Sequence, residues 1–267
     1  MKAIILAAGL GTRLGKYTED LPKCMLNFNG ESLIERQVAT LRAAGVTDIS
    51  IVRGFNPDKI NVKDVKYYFS KDFASTNMVE TLFSAELEME DCDGLLVCYA
   101  DILYEPRIVQ KIMASDVNVG VCVDSDYWEY WQARTDFPEN DMESMVIEGD
   151  KIVDLGNTDC TRTDAEQRYV GLIKFSGKGI VKLREIYHEH RQKYFNLDQP
   201  WLRSKSFKKA YMTCMIQALI NSGVEVKPVT IQRGWLEFDT VEDYEKYTQW
   251  LQDGSLGRFY DVNSFEP

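Results

Sequence analysis

Short apolar runs alternate with amphipathic segments over the first 124 residues of the chain. Residues 2–8 form a continuous apolar run that ends at Gly9, which is the pattern of a strand buried on both faces. Residues 32–45 then have helical spacing, with Gly45 placed as a C-terminal stop. The same criteria predict strands at 48–52, 65–69, 94–99 and 117–123, and helices at 76–88 and 105–114.

Strands that alternate with helices at this spacing indicate an α/β fold: a Rossmann-like, three-layer arrangement around a mixed, mainly parallel sheet. Because parallel crossovers are right-handed, the carboxyl ends of the strands meet at one edge, where such folds bind ligands. Gly9, Gly54 and Asp101 each follow a predicted strand end. We therefore expect them to face one crevice.

The pattern changes after residue 124. Residues 124–141 are rich in aromatic and acidic side chains, and 147–153 read as a β-hairpin with a Gly-Asp turn. Later elements are predicted as strands at 169–175 and 224–231, and as helices at 178–195, 206–222 and 240–251, the last capped by Thr240 with Asp243 at its third position. We expect one domain over 1–267, with a core of 1–124, an inserted region of 125–235 and a closing segment of 236–267.

Composition narrows the class of partner. The chain has 267 residues, 45% of them hydrophobic, and a formal net charge of -11, which argues against nonspecific nucleic-acid binding. An anionic ligand would have to be held by local cations. The six cysteines form no CxxC pair and there are only two histidines, so a zinc site is not expected. No apolar run approaches the roughly 18 residues of a membrane span, and we expect reduced thiols in a cytoplasmic protein.

A glycine-rich loop follows the first predicted strand. Residues 6–15 read LAAGLGTRLG, and Pro22-Lys23 come shortly after. Glycines let a backbone approach a phosphate closely, and Arg13 and Lys23 supply positive charge. The alternative is a tight strand-to-helix turn without a ligand.

Two better-known phosphate loops fit poorly. Gly9 and Gly11 match the dinucleotide fingerprint, but its third glycine is replaced by Leu14, and the next strand ends at Arg53 where NAD binding expects an acid. A P-loop is excluded because no Gly-Lys-Ser/Thr follows the first glycines.

The segment LAAGxG[ST]R followed by PK, complete at residues 6–13 and 22–23, resembles the N-terminal signature of the sugar-phosphate nucleotidylyltransferase superfamily. This resemblance implies a fold of the nucleotide-diphospho-sugar transferase type, with residues 1–124 as the nucleotide-binding core and 125–235 as the acceptor-binding region. The nucleotide-binding residues it implies are Leu6, Ala8, Gly9, Gly11, Thr12, Arg13, Lys23, Asn77 and Ala100. For Asn77, a role in reading the base stands beside a purely structural role as a helix cap.

Acidic residues at two predicted strand ends point to a metal. Asp101 directly follows a buried strand, where a partly desolvated carboxylate needs a cation. Strand alternation puts Glu237 and Asp239 on one face, and hard carboxylates suit octahedral Mg²⁺. The resemblance implies that Asp101 is a Mg²⁺ ligand, and we expect Asp239 and Glu237 to join it. As an alternative, Asp239 is the cap of the last helix, a role for which Thr240 competes.

The catalytic residues implied are Lys23, Arg13, Asp101 and Asp239. An acceptor oxygen would attack the α-phosphorus of an NTP in line and expel pyrophosphate, with Lys23 at the α-phosphate and Arg13 on the β- and γ-phosphates. Catalysis would then consist of positioning and electrostatic stabilisation.

Within the superfamily the chain looks most like the small phosphocholine and aminoethylphosphonate cytidylyltransferases. This implies CTP as donor, an acceptor such as phosphocholine, 2-aminoethylphosphonate or phosphoglutamine, a role in capsule or other cell-surface polysaccharide biosynthesis, and a possible homodimer. Aromatic faces beside carboxylates hold ammonium groups, and arginine recognises carboxylates. The candidate acceptor-binding residues are Trp128, Trp131, Arg134, Glu143 and Lys174, although packing is an alternative for the two tryptophans and a solvated strand edge for Lys174.

Four alternative functions remain. The first is a hexose-1-phosphate nucleotidylyltransferase that uses UTP, GTP or dTTP, and the second is a nucleotidyltransferase of cofactor or isoprenoid synthesis. The others are a noncatalytic regulatory subunit and an NADP-dependent oxidoreductase. A regulatory subunit is expected to have lost one of the cations or carboxylates named above, all of which are present.

Overall fold

The computed structural model describes residues 1–264. Its α-helices are α1 (Leu33–Ala43), α2 (Met78–Phe83), α3 (Pro106–Ala114), α4 (Trp128–Arg134), α5 (Lys178–Tyr194), α6 (Met212–Asn221) and α7 (Val241–Asp253). Its strands are β1 (Lys2–Ala7), β2 (Asn27–Phe28), β3 (Glu31–Ser32), β4 (Asp48–Arg53), β5 (Lys66–Phe69), β6 (Gly94–Tyr99), β7 (Ile102–Tyr104), β8 (Val119–Asp124), β9 (Met145–Glu148), β10 (Lys151–Leu155), β11 (Arg168–Ser176), β12 (Lys227–Ile231) and β13 (Trp235–Glu237).

A seven-stranded sheet in the order β12-β8-β11-β6-β1-β4-β5 forms the centre of the molecule. The pairs β1–β4, β1–β6, β4–β5 and β8–β12 are parallel, whereas β11 runs antiparallel to both β6 and β8. The predicted mixed, mainly parallel sheet is therefore confirmed, and the carboxyl ends of β1, β4 and β6 lie at one edge.

Two apolar clusters cover the two faces of this sheet. In β1, Ala3 and Ile5 belong to one cluster, which also includes residues of α1, α3 and α7, while Ile4 and Leu6 belong to the other, with residues of α2, α5 and α6. The buried apolar run is thus divided between two helical layers, as a doubly covered parallel strand requires. This confirms the three-layer α/β fold.

Local sequence signals set several helix ends. Helix α7 begins with the expected capping box, in which the Thr240 side chain accepts from the Asp243 amide and the Asp243 side chain accepts from the Thr240 amide. The helix predicted over 76–88 is shorter in the structure, because Ser84 bonds back to the Glu80 carbonyl at 2.9 Å and Ala85 leaves helical geometry (φ -111°). Its remainder is a 3₁₀ turn at Glu86–Met89.

The middle region is part of the same sheet. It contributes β11 and β12 to the seven strands, and β9 and β10 form the predicted hairpin with Gly149 at φ +63°. The division of the chain at residues 124 and 235 stays a prediction.

The cysteines agree with the expectation of reduced thiols. All six cysteines are free thiols, and Cys24, Cys98, Cys122 and Cys214 are buried. Within residues 1–264, none of the helices has the length and apolar character that crossing a bilayer demands.

Candidate active site

The glycine loop leaves β1 and packs directly against Lys23. Gly11 has φ +63°, and a Cβ placed there would lie 2.9 Å from the Lys23 Cβ. Next to it, a Cβ on Gly54 would lie only 2.6 Å from the Ala8 carbonyl oxygen. Close packing therefore requires glycine at these two positions. The same contacts hold the loop between the ends of β1 and β4.

Gly9 differs from both of these glycines. A Cβ at Gly9 would meet no atom within 4 Å, and its φ is not positive. The residue lines a cavity of about 300 Å³ at the carboxyl edge of the sheet. Neither packing nor backbone strain explains a glycine here, so its small size leaves the backbone open to whatever occupies the cavity.

We expect Gly9→Ala to lower kcat/KM for the nucleotide at least about tenfold, because the new methyl group projects into the space that a phosphate needs. The melting temperature should stay within about 2 °C of the wild type, since the methyl meets no protein atom. Steady-state kinetics and thermal unfolding measure the two quantities. Gly257→Ala is the matched control, because a Cβ at that exposed glycine also meets nothing within 4 Å. Equal kinetics for the two variants would show that Gly9 does not face the substrate.

Lys23 lies at the centre of the site. Its ammonium donates to Asp101 Oδ2 at 2.7 Å and to Asp239 Oδ1 at 2.9 Å, and the other Asp239 oxygen pairs with Arg13. Burial opposes the charge on Lys23, but the two carboxylates outweigh it and raise the pKa of the amine, so the group is an ammonium ion. The structure thus brings together all four residues expected to be catalytic.

The two aspartates are held in place by main-chain contacts. The Phe238 amide donates to the Asp101 carbonyl oxygen at 2.9 Å, continuing the antiparallel pair of β7 and β13. The side-chain amide of the buried Gln37 donates to the main-chain carbonyl oxygens of Tyr99 and Ile102, both at 2.7 Å. These two residues lie on either side of the Asp101 turn. Thr240 caps α7, so the alternative of Asp239 as that cap is wrong.

The Asp101–Asp239 pair suits a divalent ion that takes few protein ligands. Within residues 1–264 there is no group of three or more His, Cys, Asp or Glu residues arranged to hold a metal. Mg²⁺ characteristically binds one or two carboxylates and completes its shell with water and substrate phosphates. Among the hydrogen bonds of residues 1–264, Asp101 uses only the Oδ2 atom of its carboxylate. The Oδ1 atom is therefore left for an ion. The pair therefore fits Mg²⁺.

Glu237 has a different partner from the two aspartates. The guanidinium of Arg134 is 4% exposed, forms a bidentate pair with Asp243 at 2.7 and 2.9 Å, and donates to Glu237 Oε2 at 2.7 Å. Burial opposes the charge on Glu237, but Arg134 and Arg168 outweigh it and lower the pKa of the carboxyl. Glu237 as a metal ligand stays a prediction. The prediction that Arg134 binds an acceptor carboxylate bidentately is wrong, because Asp243 already accepts both hydrogen bonds.

The candidate acceptor residues of α4 are packed to different extents. Trp131 is fully buried, and the guanidinium groups of Arg134 and Arg168 lie 4.3 and 4.1 Å from its ring centre. Packing is therefore the role that the structure gives Trp131. Trp128 is half-buried with Arg162 over its ring at 4.3 Å. Glu143 is half-buried, and burial raises the pKa of its carboxyl against the opposing influence of Arg168.

Lys174 is buried within β11, away from the candidate active site. Its side chain is buried and its ammonium donates to the carbonyl oxygens of Met113 and Ser115, at 3.0 and 2.5 Å. Along the sheet it pairs with Leu96, three residues before the end of β6. The prediction that Lys174 contacts an acceptor phosphate is wrong, and so is the alternative of a solvated strand edge, because β11 runs antiparallel and carries the residue away from the edge where Asp101 lies.

The cavity collects most of the residues predicted to bind the nucleotide. Lining it are Leu6, Ala8, Gly9, Gly11, Lys23, Asn77, Ala100 and Asp101. Thr12 and Arg13 are exposed outside it, and Arg13 lines a neighbouring cleft with Arg134, Asp141 and Asp239. Asn77 also caps α2, accepting from the Met78 amide at 2.9 Å, so its structural role is confirmed and its role toward a base stays a prediction.

Several cavity residues were not anticipated from the sequence. They are Cys24, Phe73, Ala74, Thr76, Met78, Thr81 and Lys209. Most of them neighbour Asn77 in sequence, but Lys209 comes from a 3₁₀ turn more than a hundred residues away. The sequence signal for it was slight: two adjacent lysines just before an apolar helix.

Comparison with known proteins decides the family. Residues 3–140, about half of the chain, match the family model described as the MobA-like NTP transferase domain. The chain belongs to this family. It is 33% identical over 255 residues to the CTP:phosphoglutamine cytidylyltransferase of Campylobacter jejuni, covering 92% of this chain and 98% of that protein. It is 39% identical over 93 residues to the choline-phosphate cytidylyltransferase of Streptococcus pneumoniae, covering 33% of this chain and 41% of that protein.

Solved structures agree on the fold. The CTP:phosphocholine cytidylyltransferase of Streptococcus pneumoniae superposes with a TM-score of 0.70 at 22% sequence identity, covering 94% of this chain and 98% of the other. The family match and the relative aligned over nearly the whole chain show that the protein is a nucleotidyltransferase, as the glycine loop and its two cations predicted. An NADP-dependent oxidoreductase is wrong.

Proposed function

We propose that this MobA-like family member is a Mg²⁺-dependent cytidylyltransferase that moves CMP from CTP to a small phosphorylated or phosphonylated acceptor. Phosphoglutamine is the first candidate, with phosphocholine and 2-aminoethylphosphonate next. The observation that carries the proposal is the Lys23 ammonium bound between Asp101 and Asp239 at the mouth of the glycine-lined cavity. The choice of nucleotide and acceptor rests on similarity over nearly the whole chain to the phosphoglutamine enzyme.

Charge balance at this centre supports the need for a divalent ion. Without substrate, the two cations Lys23 and Arg13 face the two anions Asp101 and Asp239. A triphosphate brings several negative charges that draw the cations away, and the carboxylates are then left partly desolvated without a partner. When bound there, Mg²⁺ would supply charge stabilisation for the phosphates and for the leaving pyrophosphate.

The protein's own groups then perform positioning and electrostatics. Lys23 is placed to hold the α-phosphate and the attacking acceptor oxygen, and Arg13, on the exposed side of the loop, to hold the leaving phosphates. The glycine loop directs main-chain amides at the same anion. The acceptor oxygen forms its bond to the α-phosphorus as the bond to the bridging oxygen breaks, and pyrophosphate leaves.

The surroundings of Glu237 support an acceptor that carries both signs of charge. Glu143 has a raised pKa because it is buried, so a nearby ammonium group would stabilise its charged form. Arg168 donates to the Asp141 carbonyl oxygen at 2.7 Å, but its contacts with carboxylates, 3.8 Å to Asp141 and 3.9 Å to Glu237, are longer than those of Arg134. An acceptor carboxylate would therefore displace a weaker ion pair at Arg168 than at Arg134. An amino-acid phosphate presents both an ammonium and a carboxylate.

The test is pyrophosphate release from CTP, UTP, GTP and dTTP, each with phosphoglutamine, phosphocholine, 2-aminoethylphosphonate and hexose 1-phosphates. We expect turnover with CTP and one of the first three acceptors. Chelation of Mg²⁺ should reduce it by at least about a hundredfold, and added Mg²⁺ should restore it. Turnover confined to a hexose 1-phosphate with UTP, GTP or dTTP would establish the alternative function.

The product would be an activated group for cell-surface polysaccharide or phosphonate decoration, made in the cytoplasm. Whether a monomer or a homodimer makes it is measured directly by light scattering of the purified protein.

A further inference from the structure

Lys209 is a cation in the nucleotide cavity without an acidic partner. It is half-buried, and its ammonium makes one long contact, 3.5 Å to the Ala74 carbonyl oxygen. Within residues 1–264, the Lys209 ammonium forms no ion pair with a carboxylate, and its hydrogen bond goes to a carbonyl oxygen. The chain has 42 acidic and only 31 basic residues, so an unpaired lysine at a cavity wall calls for a ligand.

The wall that holds Lys209 lies across β1 from the catalytic centre. Asp101 follows β6 on one side of β1, whereas Phe73 packs over Gly54, which follows β4 on the other side. Lys209 contacts Ala74 in this second group. A nucleotide with its triphosphate at the glycine loop and Lys23 would therefore extend its base toward Lys209.

The Lys209 main chain is fixed to this wall. Asn77 Nδ2 donates to the Lys209 carbonyl oxygen at 3.2 Å, and the Val79 amide donates to the Ala210 carbonyl oxygen at 3.3 Å. The preceding Phe207 is buried. These contacts join the 3₁₀ turn at Phe207–Lys209 to the start of α2. They fix the Lys209 main chain, and thus the origin of its side chain, at one place in the cavity.

The other polar side chains of the wall are already engaged. Thr76 and Thr81 donate to main-chain carbonyl oxygens at 2.8 and 3.2 Å, and Asn77 uses its oxygen to cap α2 and its nitrogen to bind Lys209. Asn77 Nδ2 keeps one further hydrogen, but Lys209 is the charged donor of this group, and its single contact of 3.5 Å leaves donors available for a ligand.

We propose that the Lys209 ammonium donates to N3 and O2 of cytosine and thereby selects CTP over UTP. Lysine offers three donors and no acceptor. N3 of cytosine accepts a hydrogen bond, whereas N3 of uracil carries a hydrogen and would face the ammonium donor to donor. The inference rests on the proposed function, because it assigns the base preference of that same site.

The test compares Lys209→Met with the wild type in kcat/KM for CTP and UTP. We expect kcat/KM for CTP to fall about tenfold to a hundredfold, as for loss of a hydrogen bond from a charged donor. The value for UTP should fall less, by no more than about threefold, since uracil offers the ammonium O2 alone while its N3 hydrogen opposes the donor. Lys209→Arg keeps donors at this position and should restore part of the preference for CTP.

Lys208→Met is the matched control, because the neighbouring ammonium lies 4.7 Å from the ring centre of Phe195 and does not line the cavity. Calorimetric titration with CTP and thermal unfolding verify that each variant is folded and binds.

A parallel loss for CTP and UTP would assign Lys209 to the triphosphate and overturn the inference, and so would unchanged kinetics for both. The wild-type nucleotide panel separates this result from failure of the proposed function, which would appear there as turnover without CTP.

Discussion

We expect the replacement of Lys23 with Met to lower kcat by about 10²–10³-fold. This is the largest effect that we expect from any single change at the site. The ammonium touches both carboxylates and faces the cavity, so it is the cation placed to stabilise charge on the α-phosphoryl group. Methionine keeps the unbranched chain up to the ε position and removes the ammonium group with its charge and its donors. Pyrophosphate release at saturating substrates measures kcat.

A second readout distinguishes electrostatic from structural effects in Lys23→Met. Loss of the ammonium leaves Asp101 and Asp239 with less neutralising charge, so Mg²⁺ should bind the nucleotide-free variant more tightly than the wild type. Titration with Mg²⁺ alone measures this affinity.

Lys16→Met is the control for Lys23, because Lys16 lies on the same loop but forms an exposed pair with Glu245. Its kcat should change by less than about twofold. If Lys23→Met retains activity within about threefold of the wild type, Lys23 does not stabilise the transition state.

Replacing Arg134 with Met should produce the largest loss of stability. The substitution leaves Asp243, whose side chain is 5% exposed, without its cation, and leaves Glu237 with only the longer pair to Arg168. Breaking a buried pair in this way costs about 3–5 kcal/mol of unfolding free energy, which lowers the melting temperature by roughly 10 °C in a protein of this size. Thermal unfolding followed by circular dichroism measures the shift.

Arg258→Met provides the comparison for Arg134. Arg258 also pairs with a glutamate, Glu129, but its side chain is 56% exposed. We expect a cost below about 1 kcal/mol there. Similar melting temperatures for the two variants would mean that the Arg134 pairs contribute no more than a surface contact.

Elements encoded by contiguous residues were predictable from the sequence. The strand at 94–99 has the same bounds in the structure, because its apolar run begins after Asp93 and stops shortly before Asp101. The capping box of α7 followed from the spacing of Thr240 and Asp243 alone. The glycine loop and Lys23 were likewise predictable, since all of their residues lie within one stretch of 18 residues.

Contacts between distant segments were not predictable in this way. Arg134 and Asp243 are 109 positions apart, and nothing local to either residue indicates that their charges cancel. The strand containing Lys174 was predicted, but period-two spacing carries no information on strand direction. Because β11 runs antiparallel, the lysine lies away from the site. Lys209 was missed for the same reason: its cavity wall is completed by α2, far upstream in the chain.

The pairing of β7 with β13 has a consequence for incomplete chains. Asp101 precedes β7 and Asp239 follows β13, so the two aspartates come together only when 138 further residues follow the first. A product truncated by proteolysis or premature termination between Asp101 and Glu237 keeps the entire glycine signature but only one of the two aspartates that we propose to bind Mg²⁺. Turnover in a crude preparation therefore reports full-length molecules alone, whereas an antibody raised against the N-terminal segment also counts the inert fragments.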